Sequence, residues 1–128
     1  MSIRRRHTFL GQYLISIDRA VAREILDRLT ASKNVWERRI AIVSTFAFMK
    51  AGEIQDVHRT AGKLLQDKHD LIHKSVGWAL RESGKISRPA LLRFLEEHYS
   101  QMPRTGLRYA IEHFPVQQRK KILAGNFL

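Results

Sequence analysis

Apolar residues recur along this chain at helical rather than strand spacing. Val21, Ile25, Leu26 and Leu29 share one face of a segment that Asp18 can cap. Asn34, with Glu37 three residues on, has the form of a capping box. It opens a segment that is apolar nearly all round and runs to about Gly52, so it belongs at the centre of the fold. Ile54, Val57, Ala61, Leu64 and Leu65 signal the next helix, and Ile72, Val76, Ala79 and Leu80 another before Gly84. Ser87 and Pro89 start a sixth. Pro103 and Pro115 fall where proline is tolerated, in first turns, and mark shorter helices near 103–113 and 115–123. With a helix over about residues 4–16, the pattern predicts an all-α chain of about eight helices. No sustained period-2 alternation competes with it.

Short connections between helices of this length imply antiparallel neighbours, hence four helical hairpins. The hairpins repeat. Arg39-Ile-Ala-Ile, Lys74-Ser-Val-Gly and Arg108-Tyr-Ala-Ile align a basic residue with a small apolar one two positions later, at spacings of 35 and 34, and a further step of 35 back lands on Arg4. A period in the thirties built from two helices is the signature of an α-solenoid, and without the tetratricopeptide consensus a stack of HEAT-like antiparallel helical hairpins fits best. The predicted organisation is one such domain over residues 1–128.

Stacked hairpins bring equivalent positions into line, so Arg4, Arg39, Lys74 and Arg108 form one stripe, thickened by Arg38, His73 and Arg104. Lys and Arg number 23 against 12 Asp and Glu, a formal charge of +11 on 128 residues. Such an excess calls for a polyanion: nucleic acid most simply, an anionic membrane surface less simply. Cations scattered over a solvated face are the bland alternative, but periodic placement on alternate helices matches the phosphate track of a duplex. The longest apolar stretch, Ile40 to Met49, would span only about 15 Å as a helix, half of a bilayer core. No apolar run of signal-peptide length follows the basic start, so a cytoplasmic protein without membrane partners is expected.

Cysteine is absent, which excludes disulfides, thiolate nucleophiles and cysteine-ligated metals. His69 and His73 stand at i and i+4, a metal-ligand spacing, yet no third ligand is evident and Lys68 and Lys74 flank them. Polar or phosphate-facing histidines are the simpler account, and neither metal nor cofactor is expected. Trp36 and Trp78 each lie beside or one turn from arginine, in Trp36-Glu-Arg-Arg39 and Trp78-Ala-Leu-Arg81. An indole face attracts a cation, and a purine methylated on a ring nitrogen is cationic, so indole next to phosphate-binding arginine suits an alkylated base. Packing in the core is the alternative for both.

Three segments, Trp36-Glu-Arg-Arg-Ile-Ala-Ile-Val, Lys68-His-Asp-Leu-Ile-His-Lys-Ser-Val-Gly-Trp-Ala-Leu-Arg-Glu82 and Met102-Pro-Arg-Thr-Gly-Leu-Arg-Tyr-Ala-Ile111, strongly resemble the C-terminal half of AlkD-like DNA alkylation repair enzymes. The likeness runs from about Leu10 to about Leu123. It implies a HEAT-like-repeat DNA glycosylase that excises cationic alkylated purines without flipping the base into a pocket. By that resemblance Arg39 matches an arginine of the active-site cleft and Trp78 the tryptophan near the lesion, the two catalytic candidates, while Arg81 matches a basic position on the same helix. The DNA-binding set is then Arg4, Arg38, Arg39, His73, Lys74, Arg81, Arg104 and Arg108, with duplex DNA, alkylated or not, as partner. One departure stands out. The family's W-D-x-V-D motif carries an aspartate that stabilises the sugar cation, and counting back from Gly11 puts that aspartate near Ile3, within Met-Ser-Ile-Arg-Arg-Arg. Glu37, Asp70 and Glu82 are the available substitutes, each with a blander role in capping, loop polarity or a salt bridge. Relative to the family the chain reads as truncated at its N-terminus, so its first hairpin should be an exposed flank open to self-association. A repair glycosylase, a non-catalytic DNA-binding remnant and a helical-repeat protein-interaction module all remain open on the sequence alone.

Overall fold

The structure, a computed structural model, describes the backbone of residues 3–128 and the side chains of residues 9–128. It is built of helices α1 (Ile3–Ser16), α2 (Arg19–Thr30), α3 (Val35–Ser44), α4 (Phe46–Lys50), α5 (Gln55–Leu64), α6 (Asp70–Ile86), α7 (Arg88–His98), α8 (Arg104–Ala110) and α9 (Val116–Leu123), with a 3-10 turn at Tyr99–Gln101. No strand occurs among the described residues, as the helical spacing of the apolar positions requires.

The sequence signals that start helices act as expected at three points. Asp18 accepts hydrogen bonds from the Ala20 and Val21 amides, Asn34 from Trp36 at 2.8 Å, and Ser87 from Ala90. The capping box at Asn34 is not formed. Its second half is supplied by Ser32, whose hydroxyl accepts from the Asn34 amide and donates to Glu37. The segment from Asn34 to Gly52 is also not one helix. Thr45 is buried, its hydroxyl donates to the Ile42 carbonyl, and the chain bends there into α4.

Two layers result. In the first, α1 packs on α3, α3 on α6 and α6 on α8; α2, α5 and α7 back them. This is the α-solenoid-like arrangement that the repeat predicts. One apolar cluster joins α3 and α5–α9, and a smaller one, around Leu14, Leu26 and Phe48, lies beneath α1 and α2. Glycine lets the first layer close up. A Cβ on Gly77 would lie 2.6 Å from the Gly106 carbonyl oxygen and equally close to Cβ of Tyr109, and one on Gly11 would lie 2.8 Å from the Ser44 carbonyl oxygen. The second layer is joined differently, by ion pairs between α2 and the start and length of α5: Arg19 with Glu53 and Arg23 with the buried Asp56, each at 2.8 Å, and Asp27 with Arg59 and Lys63. Hydrogen bonds from Arg59 and Lys63 hold the Asp27 carboxyl below the usual carboxylate range against the opposing effect of burial. Phe9 and Tyr13, one turn apart on α1, are each more than half exposed.

His58 sits between the layers. The Ser83 hydroxyl gives its proton to the Leu80 carbonyl, so the His58 ring must donate to Ser83, at 2.9 Å. Burial, with Arg93 and His98 nearby, pushes the His58 pKa down to about 4. The unfolded chain therefore binds a proton that the folded chain refuses between the ordinary histidine value and about 4, and stability falls as pH falls through that window. Urea midpoints should show a loss of roughly 2 kcal/mol between neutrality and about pH 5. His58→Gln should remove most of that slope; an unchanged slope would reassign it to other groups.

Candidate functional site

Along α6, Leu71, Lys74, Ser75, Trp78 and Arg81 fall on one helical face by spacing alone. Arg39 from α3 and Tyr109 from α8 flank that face, and together the seven residues line a groove of about 410 Å³. Ser75 donates to the Leu71 carbonyl and presents no hydroxyl proton to the groove. Trp78 is 36% exposed and backs onto Phe46, with ring centroids 4.5 Å apart; Tyr109 is 37% exposed. The close Gly77–Gly106 approach is what brings α8, and with it Tyr109, against the α6 face.

The cations differ in what they are already doing. No carboxylate pairs with Arg39 among the described residues. Lys74 meets only Asp70, one turn back at 3.2 Å, and that hydrogen bond raises its pKa, so it stays charged at any physiological pH. Arg81 donates to Glu112 of the chain following α8 and lies 3.7 Å from Glu82. Chemically the groove offers positive charge beside two aromatic faces, which suits a phosphate attached to a stacking ring.

Other members of the sequence-predicted set lie elsewhere. Arg38 turns from its neighbour Arg39 and bonds the partly buried Asp67 at 2.6 Å and the Ser32 carbonyl. There the carboxyl of Asp67 would be raised by burial, but Arg38 and the His69 amide outweigh that and hold it low. The His73 ring donates to the Asp67 carbonyl, while His69 Nδ1 accepts from the Leu71 amide and caps α6. The two imidazoles thus serve separate backbone groups, and no set of three metal-ligating side chains occurs among the described residues. Arg104 donates to the Tyr99 hydroxyl at 3.2 Å, and Arg108 is exposed on α8 outside the groove lining. Arg4 lies outside the described side chains. Trp36 is 48% exposed at the start of α3 and lines neither this groove nor the cavity beside it. The candidate carboxylates are engaged: Glu37 with Ser32, Asp70 with Lys74, Glu82 with Lys85.

Leu71, Ser75 and Tyr109 are the groove residues that sequence reasoning passed over, and of these Tyr109 brings an aromatic face. A uniform step of 35 runs 4, 39, 74, 109, so the period itself marks Tyr109, but alignment on basic residues selects Arg108 one position earlier.

The family model described as DNA alkylation repair enzyme matches residues 6–114. Among curated proteins and among solved structures there is no significant match. No helix among the described residues is long and apolar enough to cross a membrane.

Proposed function

We propose that this chain, which belongs to the DNA alkylation repair enzyme family, binds duplex DNA along the basic groove of α3, α6 and α8. The observation that carries the reading is the convergence of Arg39, Lys74 and Arg81 around Trp78 in one groove. Arg39 and Lys74 take backbone phosphates, since neither is tied to a distant element; Arg108 continues the track along α8, and Arg81 contributes as phosphate displaces Glu112. Trp78 and Tyr109 offer faces to a base, best to a cationic alkylated purine. Excision of such purines is the family activity implied by the resemblance. In this reading the position of the family aspartate, near Ile3, carries no carboxylate, and the chain holds DNA more readily than it cleaves the glycosidic bond.

Binding that neutralises phosphates releases counterions and falls steeply with salt. Fluorescence anisotropy of a labelled duplex across a salt series should show that dependence, with Arg39→Ala and Lys74→Ala each weakening affinity and each lowering the log–log slope by about one. Undetectable or salt-independent binding would refute the reading and leave a protein-interaction solenoid in its place.

A further inference from the structure

The ion pair of Arg81 with Glu112 runs beside the two rings of the groove. Arg81 stands one turn after Trp78 on α6, and Glu112 one turn after Tyr109, where the chain leaves α8. Trp78 and Tyr109 are 31 residues apart, as are Arg81 and Glu112, so the packing of α6 on α8 carries the ion pair along with the aromatic faces. The Glu112 backbone is held, its amide donating to the Tyr109 carbonyl and its carbonyl accepting from Arg119. Its side chain is 52% exposed and meets no cation but Arg81 among the described residues, so it can swing away with little loss of packing. Two other carboxylates touch groove cations. Asp70 lies two turns before Trp78, and Glu82 is bridged to Lys85 and less exposed, which leaves Glu112 the one best placed to act at the rings.

We propose that Glu112 selects for charge: phosphate takes Arg81 from it, and the released carboxylate becomes the counter-ion of a cationic purine lying against Trp78 and Tyr109; the inference rests on the DNA-binding reading above. In undamaged DNA, phosphate and carboxylate compete for one guanidinium, and a carboxylate left unpaired among phosphates repels them. Ordinary duplex is therefore held less tightly than the cations of the groove would allow. A purine alkylated on a ring nitrogen carries the positive charge that restores the balance, guanidinium with phosphate and carboxylate with base. The rings alone discriminate less, because an aromatic face that attracts a cation also stacks a neutral base. No enclosed pocket is required, since Glu112 and both rings are open to solvent.

The test uses three labelled duplexes alike except at one position, which holds guanine, 7-methylguanine, or 7-methyl-7-deazaguanine, the last having the shape of the second without its charge. Anisotropy at one salt concentration should show the 7-methylguanine duplex bound about fivefold more tightly than its neutral isostere, the worth of one pair of unit charges in contact in water. Glu112→Gln keeps the size of the side chain and a hydrogen bond to Arg81. It should abolish that ratio, tighten the guanine duplex severalfold and steepen its salt slope by about one, because Arg81 then gains a phosphate with no carboxylate set free. Arg81→Ala should weaken binding of all three duplexes and keep the ratio, which a merely structural role for Glu112 would not predict. Equal affinity of the unmodified chain for 7-methylguanine and the isostere, or a ratio that survives Glu112→Gln, would overturn the selector and leave duplex binding in place. Failure of all three duplexes to bind the unmodified chain would instead overturn the DNA-binding reading.

Discussion

Single-turnover release of alkylated purine from duplex DNA by the 128-residue chain is expected to run about a hundred- to a thousandfold below an enzyme's rate, the usual cost of losing one preorganised charge partner. As the glycosidic bond breaks, positive charge grows on the sugar, and an anion fixed nearby lowers the barrier. In the proposed reading, the position matching the family aspartate falls near Ile3, which three arginines follow. The carboxylates that could stand in face other partners: Glu37 bonds Ser32, Glu82 pairs with Lys85, and Asp70 meets Lys74 in an exposed pair one turn apart. Release at a full enzymatic rate, abolished by Glu37→Gln or Glu82→Gln, would overturn this and identify the substitute. Absent release with retained salt-sensitive binding is the result the proposed reading requires.

The adjacent arginines of α3 should respond to alanine in opposite ways. Arg38→Ala leaves Asp67, whose side chain is only 7% exposed, without its cation, and breaking a largely buried pair from one side costs about 3 kcal/mol. Urea unfolding should show that loss, and Arg38→Ala/Asp67→Ala should recover part of it. The slope of DNA affinity against salt should not move. Arg39→Ala should do the reverse, leaving stability nearly intact and flattening the slope. An Arg38→Ala protein of normal stability and weakened DNA affinity would return Arg38 to the phosphate-binding set.

That contrast explains how far the sequence could be read. Helices and their order follow from local spacing and from caps such as Asp18, Asn34 and Ser87, which act within a few residues. The meeting of Arg39 with Lys74 was equally legible, because a repeat of 35 puts equivalent positions side by side. The bend at Thr45 was hidden: an apolar run continues through it, and only tertiary burial makes the Thr45 hydroxyl turn back on its own helix. The fates of Arg38 and Arg81 were hidden for a different reason. Their partners, Asp67 and Glu112, lie 29 and 31 residues away, off the repeat spacing, and nothing in the alternation of charges distinguishes a tethered arginine from an available one. Glu37 shows the same limit at short range, since a capping glutamate and one captured by a neighbouring serine look alike in sequence.

The two layers are seamed by different forces, and the difference sets how the stack can bend. Where Gly77 meets Gly106 and Gly11 meets Ser44, backbone touches backbone, and such contacts resist any change of separation. Between α2 and α5 the seam is a row of long side chains ending in charges, and the part-exposed pairs Arg19–Glu53 and Arg59–Asp27 weaken gradually with distance and with salt. The molecule is therefore stiff along its groove side and compliant along its back, like a book bound at the spine. Raising ionic strength is then expected to loosen the pages without unbinding them, so that in the proposed reading salt acts on the curvature of the groove as well as on its charges.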